Sequence, residues 1–260
     1  MRKINGWTIV IFLAASLVSF PGSATEKISL KIEKSLPQNK LAYYNDSFDK
    51  LREDLWEKGS TAHTKEQMSN FTLANMSIEK GELKLETKTG GFSRNGLGSK
   101  YTLRGDFDIQ VDCHIDFLKT ERGMDQKLDF YVTEKGKELK KPKAAVILLL
   151  KRPNRNAVIN SVYLEKGRPL FQKPHPIGNF HGTLRIVRTG NEISTLYKKE
   201  GELGWEKMGT FPGMTGEVTV GFSLSNFIVR RTSIQAESSI SATFDNFRIS
   251  AAQEIMEEEI

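Results

Sequence analysis

The clearest pattern in the sequence is an alternation of apolar and polar residues that runs without a break through residues 105–117. Successive side chains of a β-strand point to opposite faces, so this pattern predicts a strand with one face in a core and one in water. The apolar positions are Phe107, Ile109, Val111, Cys113, Ile115 and Phe117, and the polar positions are Asp106, Asp108, Gln110, Asp112, His114 and Asp116. Much of the chain repeats the pattern less perfectly, which indicates a protein built mainly of strands.

Two segments have the sequence pattern of β-hairpins. Residues 71–88 alternate on either side of a turn at Lys80-Gly81, and residues 184–198 alternate around a turn at Gly190-Asn191. The continuous apolar run at residues 144–150 is too short to span a membrane, and it predicts a strand in the middle of a sheet with both faces covered. Together with the long alternating strand, these segments favour an antiparallel β-sandwich.

The last strand pattern, at residues 240–249, changes phase at Asp245-Asn246. A β-bulge at that point would keep Phe244 and Phe247 on the buried face, so a bulge is predicted. An acidic tail follows at residues 251–260, and it predicts a short helix or disorder.

Two other segments are expected to be irregular. Four glycines within residues 90–98 predict a flexible or tightly turned segment, and three prolines within residues 167–182 predict a long loop. Trp205 follows a glycine-rich turn, and its predicted position is against the core of the sandwich.

Residues 1–24 have the layout of a secretory signal peptide. Basic residues precede an apolar run at residues 8–20, and small residues lead to a cleavage site after Ala24. The run is shorter than the roughly 20 residues of a membrane-spanning helix, so no membrane span is expected after cleavage, and an uncleaved anchor is the alternative. Residues 25–40 are then predicted to form a strand and a connection, and residues 41–250 a single β-sandwich domain.

Composition limits the possible cellular compartments and binding partners of the protein. The chain has 260 residues, a formal net charge of +6 and a single cysteine, Cys113, so no internal disulfide can form. Export without disulfides is typical of a bacterial periplasm or cell exterior, and export disfavours nucleic acid as a partner. Cys113 lies in the apolar phase of its strand, where a free thiol is predicted to pack as a small hydrophobe. A basic cluster at residues 135–155 either attracts acidic polysaccharide or anionic lipid headgroups, or forms solvated loops.

Several segments resemble the concanavalin A-like lectin/glucanase superfamily. They are YYNDSFD at residues 43–49 followed by Trp56, SIEKGELKLETK at 77–88, GDFDIQVD at 105–112, HGTLRIVRTGNEISTLYKKEGELGW at 181–205, GEVTVGFSL at 216–224 and SATFDNFRI at 241–249. The resemblance implies an all-β, antiparallel two-sheet jelly-roll β-sandwich with a ligand groove on its concave face. It does not decide the activity, because the superfamily includes lectins, carbohydrate-binding modules, hydrolases and lyases.

The polar face of the long strand offers one catalytic constellation, Asp112, His114 and Asp116. Laminarinase-type hydrolases of the superfamily carry Glu-x-Asp-x-x-Glu or Glu-x-Asp-x-Glu on one strand, whereas this strand has two aspartates around a histidine. A rise of about 3.3 Å per residue separates Asp112 and Asp116 by about 13 Å, more than the roughly 5–9.5 Å that glycoside hydrolysis uses. A solvated strand face is therefore favoured, and a polysaccharide hydrolase or lyase with a non-standard site is the alternative.

The sequence predicts no metal site and no cofactor. His63, His114, His175 and His181 lack the close spacing of histidine ligands that share one helix or strand. Structural calcium, as in some laminin-G-like relatives, is the alternative that the resemblance implies.

The hypothesis for function is an exported, non-catalytic glycan-binding or envelope-associated module. Sugar rings stack on aromatic side chains while nearby polar groups bind their hydroxyls. The aromatic residues in predicted loops are Tyr43, Tyr44, Trp56, Phe171, Phe180 and Trp205. The predicted ligand-binding residues are Trp56, Asp112, His114, Asp116, His181 and Arg185. The predicted partner is carbohydrate, with acidic polysaccharide as one class, and an interaction domain for another envelope protein is a further alternative.

Overall fold

The computed structural model describes residues 32–59, 71–119, 124–135, 143–165, 167–228 and 236–257. The signal peptide predicted at residues 1–24 lies outside these ranges, and so does most of the strand predicted within residues 25–40. Helical structure within the described ranges never reaches the length and apolar character that a membrane crossing requires.

These ranges contain one short helix and sixteen strands. The helix is α1 (Gln38–Tyr43). The strands are β1 (Trp56–Lys58), β2 (Thr72–Leu73), β3 (Asn75–Glu79), β4 (Glu82–Glu86), β5 (Ser93–Ser99), β6 (Tyr101–Ile115), β7 (Met124–Glu134), β8 (Ala144–Lys151), β9 (Val158–Glu165), β10 (Arg168–Phe171), β11 (His175–Pro176), β12 (Phe180–Thr189), β13 (Glu192–Lys199), β14 (Glu206–Pro212), β15 (Val218–Ile228) and β16 (Ser241–Glu257).

The strands form two sheets, here called sheet I and sheet II. Sheet I has the order β10-β9-β8-β7-β15-β5-β1, with β11 beside β9 and β2 beside β5, and sheet II has the order β3-β4-β16-β6-β12-β13-β14. All of these pairs are antiparallel except β2 with β5. Among the described strand pairings, a single residue pair, Val218 with Leu103, links the two sheets.

The apolar faces of the two sheets meet in one core. Phe222 of β15 packs against Phe244 of β16 with ring centroids 4.6 Å apart, and Tyr163 of β9 stacks on Phe211 of β14 at 5.2 Å. Cys113 of β6 lies in this core, and burial holds the pKa of its thiol well above the ordinary value. The predicted antiparallel two-sheet β-sandwich is therefore confirmed, as is the buried position of the thiol.

Both predicted hairpins are present. β3 and β4 are joined at Lys80 and Gly81, which both have the positive φ that a type I′ turn requires. β12 and β13 are joined at Gly190 and Asn191, and they pair from Gly182 with Lys199 to Thr189 with Glu192. The dipeptides at these turns therefore set the hairpin geometry as predicted.

β16 contains the predicted bulge. Its pairing with β6 shifts register after Asp245, and Phe244 and Phe247 are both fully buried. The strand then continues beside β6 to Glu257, so the helix or disorder predicted for the acidic tail is wrong as far as residue 257. The physical reason is that the first half of β6 supplies backbone partners for the tail, and Ala252 is buried in the core.

Three segments predicted to be irregular contain regular structure. β5 runs through the glycine-rich segment, β10 and β11 form within residues 167–182, and α1 begins in the predicted connection. A Cβ atom at Gly96 would lie 2.2 Å from the carbonyl oxygen of Phe222, so glycine allows β15 to approach closely here rather than giving flexibility. The prolines of β10 and β11 are tolerated because both are short strands at the edge of sheet I.

Trp56 lies at the centre of an aromatic cluster in the core. Its ring packs edge-on against Phe222 and Phe247, with centroids 5.3 and 5.1 Å apart. Its indole Nε1 donates a 2.8 Å hydrogen bond to Oδ2 of Asp46, and Oδ1 of Asp46 accepts a 2.8 Å bond from the backbone N–H of Phe48. Burial raises the pKa of Asp46, and these two hydrogen bonds oppose that rise. One carboxylate thus satisfies two buried donors.

Replacing Asp46 with asparagine is expected to lower the free energy of unfolding by about 1–3 kcal/mol. Asparagine has one acceptor oxygen, so the donor of either Trp56 or Phe48 would lose its partner and face an NH₂ group. Urea denaturation followed by tryptophan fluorescence measures the change. Asp49→Asn, at an exposed carboxylate in the same segment, is the control and should stay within about 0.5 kcal/mol of wild type. Equal stability of Asp46→Asn and wild type would contradict this account.

Candidate functional site

Five of the six predicted ligand-binding residues lie on the outer face of sheet II. Asp112 and His114 belong to β6, Asp116 follows that strand, and His181 and Arg185 belong to β12. β6 and β12 are antiparallel neighbours with His114 directly opposite His181, which puts these side chains on the same face. The structure brings His114, Asp116 and His181 together, whereas Asp112 and Arg185 contact other residues.

His114, Asp116 and His181 form a compact group, here called the His–Asp cluster. Nε2 of His114 lies 3.4 Å from Oδ2 of Asp116, and Nε2 of His181 lies 3.3 Å from Oδ1 of the same carboxylate. The two imidazole rings overlap, with centroids 3.4 Å apart and an interplanar angle of 33°. One ligand atom from each residue lies within 4.8 Å of the other two, so the three side chains could hold a metal ion.

The two histidines favour the ionised form of Asp116. Burial would raise the pKa of its carboxyl, but hydrogen bonds from His181 and His114 outweigh burial, and the pKa lies below its ordinary value. The group is therefore an anion at neutral pH. Sequence spacing did not predict this cluster, because the two histidines are far apart in the chain and meet only through the pairing of β6 with β12.

Asp112 and Arg185 are held by other residues of sheet II. Oδ1 of Asp112 accepts a 2.6 Å hydrogen bond from Oγ1 of Thr183. Arg185 donates two hydrogen bonds, of 2.8 and 2.6 Å, to the carboxylate of Asp108, and only 11% of its side chain is exposed. Asp112 and Asp116 thus have different hydrogen-bond partners.

The structure reverses the predicted positions of two tryptophans. Trp56, predicted to bind ligand, is 1% exposed and buried in the core, because its indole N–H has a buried acceptor in Asp46. Trp205, predicted to pack in the core, is only half-buried at the surface of sheet II. The guanidinium carbon of Arg185 and Nζ of Lys198 lie over its ring, 5.0 and 5.2 Å from the centroid. These cation–π contacts occupy the ring of Trp205.

A second candidate surface lies on the outer face of sheet I, and it includes none of the six predicted residues. It is a groove of about 650 Å³, here called the aliphatic groove, formed by β7, β8, β9 and the residues around β10. Leu148, Leu150 and Val158 supply its aliphatic lining, together with Phe171, which is 61% exposed. The other lining residues are Asp125, Lys127, Arg152, Arg155, Asn156, Asn160, Gln172 and Pro174.

Two polar side chains of the aliphatic groove have unused hydrogen-bonding capacity. Among the described residues, Oδ1 of Asp125 and Oδ1 of Asn160 are buried and have no hydrogen-bond partner. Burial raises the pKa of Asp125, although Arg152 and Lys127 act in the opposite direction. Both oxygens are hydrogen-bond acceptors.

The aliphatic groove has a single acidic residue, Asp125, among its described lining residues. Glycoside hydrolysis uses two carboxyls, about 5–5.5 Å apart in retaining enzymes and about 6.5–9.5 Å apart in inverting ones. The next carboxylate along β7, that of Asp129, is buried, and its Oδ2 lies 3.0 Å from Nζ of Lys127 and 3.8 Å from Nη2 of Arg94. The sequence also contains no Glu-x-Asp-x-Glu or Glu-x-Asp-x-x-Glu segment. The described lining of the groove thus contains one carboxyl group, that of Asp125.

The prediction that residues 144–150 are covered on both faces holds fully for the core face and in part for the outer face, where Ala144 and Leu148 are buried. Ile147 and Leu149 of β8 are fully buried in the core. On the outer face, Val146 and Leu150 are only half-buried, and Leu150 lines the aliphatic groove. The sequence signal for the groove was thus the apolar character of both phases of this strand.

No protein-family model matches the sequence, and no curated protein matches it significantly. Solved structures are nevertheless similar in fold. A Bacillus licheniformis β-glucanase has 15% sequence identity and a TM-score of 0.54, over 79% of this chain and 96% of that chain. The CBM2 module of the evolved Dit protein of Lactobacillus casei BL23 phage J-1 has 9% identity and a TM-score of 0.54, over 80% of this chain and 96% of that chain.

A legume lectin-like domain from Entamoeba histolytica is also similar, with 12% identity and a TM-score of 0.52, over 79% of this chain and 91% of that chain. Similarity at such low identity concerns the fold, because one fold carries many activities. The two-sheet topology and these structural matches together show that the chain has the concanavalin A-like jelly-roll fold.

Proposed function

We propose that the protein is an exported, non-catalytic glycan-binding module whose ligand occupies the aliphatic groove. The observation that carries the proposal is the combination, in one groove, of exposed Phe171 and aliphatic side chains with hydrogen-bonding groups. A sugar ring has C–H faces that pack on aromatic and aliphatic side chains, and hydroxyls that need polar partners. The fold supports the proposal, since a β-glucanase, a lectin-like domain and a CBM2 module are among the similar structures.

The charges of the aliphatic groove favour an acidic glycan. Lys127, Arg152 and Arg155 line the groove, and Asp125 is the acidic residue beside them. Lys127 is 3.0 Å from Asp129, and Arg152 is 3.8 Å from Asp125. Three cations and one carboxylate line the groove, and the second carboxylate, that of Asp129, lies near Arg94 as well as Lys127, so positive charge is in excess. A polysaccharide that carries uronic acids would be attracted by this charge, and salt would screen the attraction.

Replacing Phe171 with alanine is expected to weaken polysaccharide binding about tenfold, since losing an aromatic contact costs roughly 1–2 kcal/mol. Affinity electrophoresis and isothermal titration with alginate, laminarin and barley β-glucan as probes measure the binding. Leu170→Ala is the matched control, because Leu170 is the neighbouring exposed apolar residue of β10 and does not line the groove. This variant should bind like wild type.

Each probe separates one part of the proposal from the others. Binding of alginate that weakens as salt rises supports the acidic preference, whereas stronger binding of laminarin or β-glucan removes that preference and keeps the glycan-binding role. Failure to bind any of the three, or wild-type affinity in Phe171→Ala, contradicts the role of the groove. Release of reducing sugar that is lost in Asp112→Asn or Asp116→Asn would establish the enzymatic alternative instead.

A further inference from the structure

The His–Asp cluster offers a chemistry that the glycan proposal does not use. His114, Asp116 and His181 lie on the outer face of sheet II, on the opposite side of the sandwich from the aliphatic groove. His114 and His181 are directly opposite residues of paired strands, so the ladder of β6 and β12 positions both rings. Both imidazoles approach the same carboxylate through Nε2.

Two nitrogen–oxygen distances in the His–Asp cluster are close to one edge of a tetrahedral metal site, and each involves a different oxygen of Asp116. Bonds of about 2.0–2.1 Å from Zn²⁺ to nitrogen and oxygen, at tetrahedral angles, place neighbouring ligand atoms about 3.3–3.4 Å apart. The Nε2 atoms of His114 and His181 lie 3.4 and 3.3 Å from the oxygens of Asp116. Charge-assisted hydrogen bonds would be shorter, at about 2.7–2.9 Å. One ligand atom from each of the three residues lies within 4.8 Å of the other two, so the side chains are close enough to share one ion.

A cavity of about 380 Å³ adjoins the His–Asp cluster and supplies further negative charge. Its carboxylates belong to Glu82, Asp112, Glu200, Glu202 and Asp245, and its cations to Lys198 and Lys199.

We propose that His114, Asp116 and His181 bind one divalent transition-metal ion of the Zn²⁺ class. Two imidazole nitrogens and one carboxylate oxygen suit zinc, cobalt or nickel, whereas Ca²⁺ takes six to eight oxygen ligands. The side chains of the three residues are 49%, 60% and 41% exposed, which leaves a fourth coordination position open to solvent. Calcium, the ion that the family resemblance implied, does not fit this donor set.

The test uses the full chain without a histidine tag, because a tag would bind the same ions. Zn²⁺ titrated in competition with a chromophoric chelator is expected to bind at one ion per chain, and Ca²⁺ is expected not to displace it. His114→Ala and His181→Ala should each weaken zinc binding at least about tenfold, since even outer-shell changes cost 10–100-fold. His175→Ala is the matched control, because this histidine of β11 lies beside Glu206, away from the cluster.

Loss of zinc binding in His114→Ala and His181→Ala, with binding kept in His175→Ala, is the expected result. Unchanged zinc affinity in His181→Ala, or no zinc binding by wild type, overturns the proposal. A rise in melting temperature on addition of Zn²⁺, present in wild type and absent in His181→Ala, is an independent readout. Polysaccharide binding in the aliphatic groove should be the same in these variants, so the two proposals fail or survive separately.

Discussion

Replacing Gly96 with alanine is expected to lower the free energy of unfolding by about 3 kcal/mol, at the upper end of the range for overpacking. Gly96 of β5 pairs with Ser223 of β15 inside sheet I. A Cβ atom at this position would lie 2.2 Å from the carbonyl oxygen of Phe222 and 2.7 Å from Cβ of Ser223. The nearest of these atoms is backbone, so the strands can separate only by breaking their own hydrogen bonds. Urea denaturation measures the loss.

Gly178→Ala is the matched control for this substitution. A Cβ atom at Gly178 would meet no atom within 4 Å, so the variant should stay within about 0.5 kcal/mol of wild type. If Gly96→Ala were as stable as wild type, β5 and β15 could not approach as closely as the structure shows. The comparison also separates the loss of space from the entropic gain that alanine brings to any glycine position.

Gly96 also shows why the glycine-rich segment was interpreted as irregular. Glycine is common both in flexible turns and where two backbones approach closely, and the sequence around residues 90–98 is compatible with either. The distinction depends on the position of β15, which begins more than a hundred residues later. Only the assembled sheet shows which of the two reasons applies.

Strand alternation, by contrast, is a local property, which is why the sandwich and one face of the candidate site could be predicted. The backbone of β6 fixes a side-chain period of two, so Asp112 and His114 share the outer face whatever surrounds the strand. Alternation does not specify which strand becomes the neighbour or in which register it pairs. The contact of His114 with His181 depends on that register, and so the His–Asp cluster required the structure.

The aliphatic groove required the structure for a related reason. β8 is apolar in both phases, and such a strand is usually covered by protein on both faces. The sequence does not show whether other parts of the chain cover the residues of β8 that face away from the core. Where that cover is incomplete, the same aliphatic residues form an exposed apolar surface, which is a common property of ligand sites. Leu150 of β8 and Val158 of β9 lie in such a place, beside exposed Phe171.

Replacing Arg188 with alanine is expected to lower the free energy of unfolding by about 4 kcal/mol or more, a large share of the 5–15 kcal/mol of a typical domain. Arg188 of β12 is fully buried, and its guanidinium carbon lies 4.7 Å from the ring centroid of Phe107. Nε and Nη1 donate hydrogen bonds of 2.6 Å to the carbonyl oxygens of Gly105 and Gly216. Truncation would leave a cavity, at about 2–5 kcal/mol, and would remove a donor from each carbonyl, at about 1–3 kcal/mol each.

Arg188→Met separates the cavity from the hydrogen bonds, because methionine keeps much of the volume and none of the donors. Burial lowers the pKa of Arg188 to about 10, although Asp106 and Glu134 act in the opposite direction, so the group is a buried cation at neutral pH. An apolar side chain removes the cost of burying that charge, so the expected loss is smaller, about 1–3 kcal/mol. Arg104→Ala, at an exposed cation of β6, should stay within about 0.5 kcal/mol of wild type. A methionine variant more stable than wild type would mean that desolvation of the guanidinium outweighs its bonds to the two carbonyls.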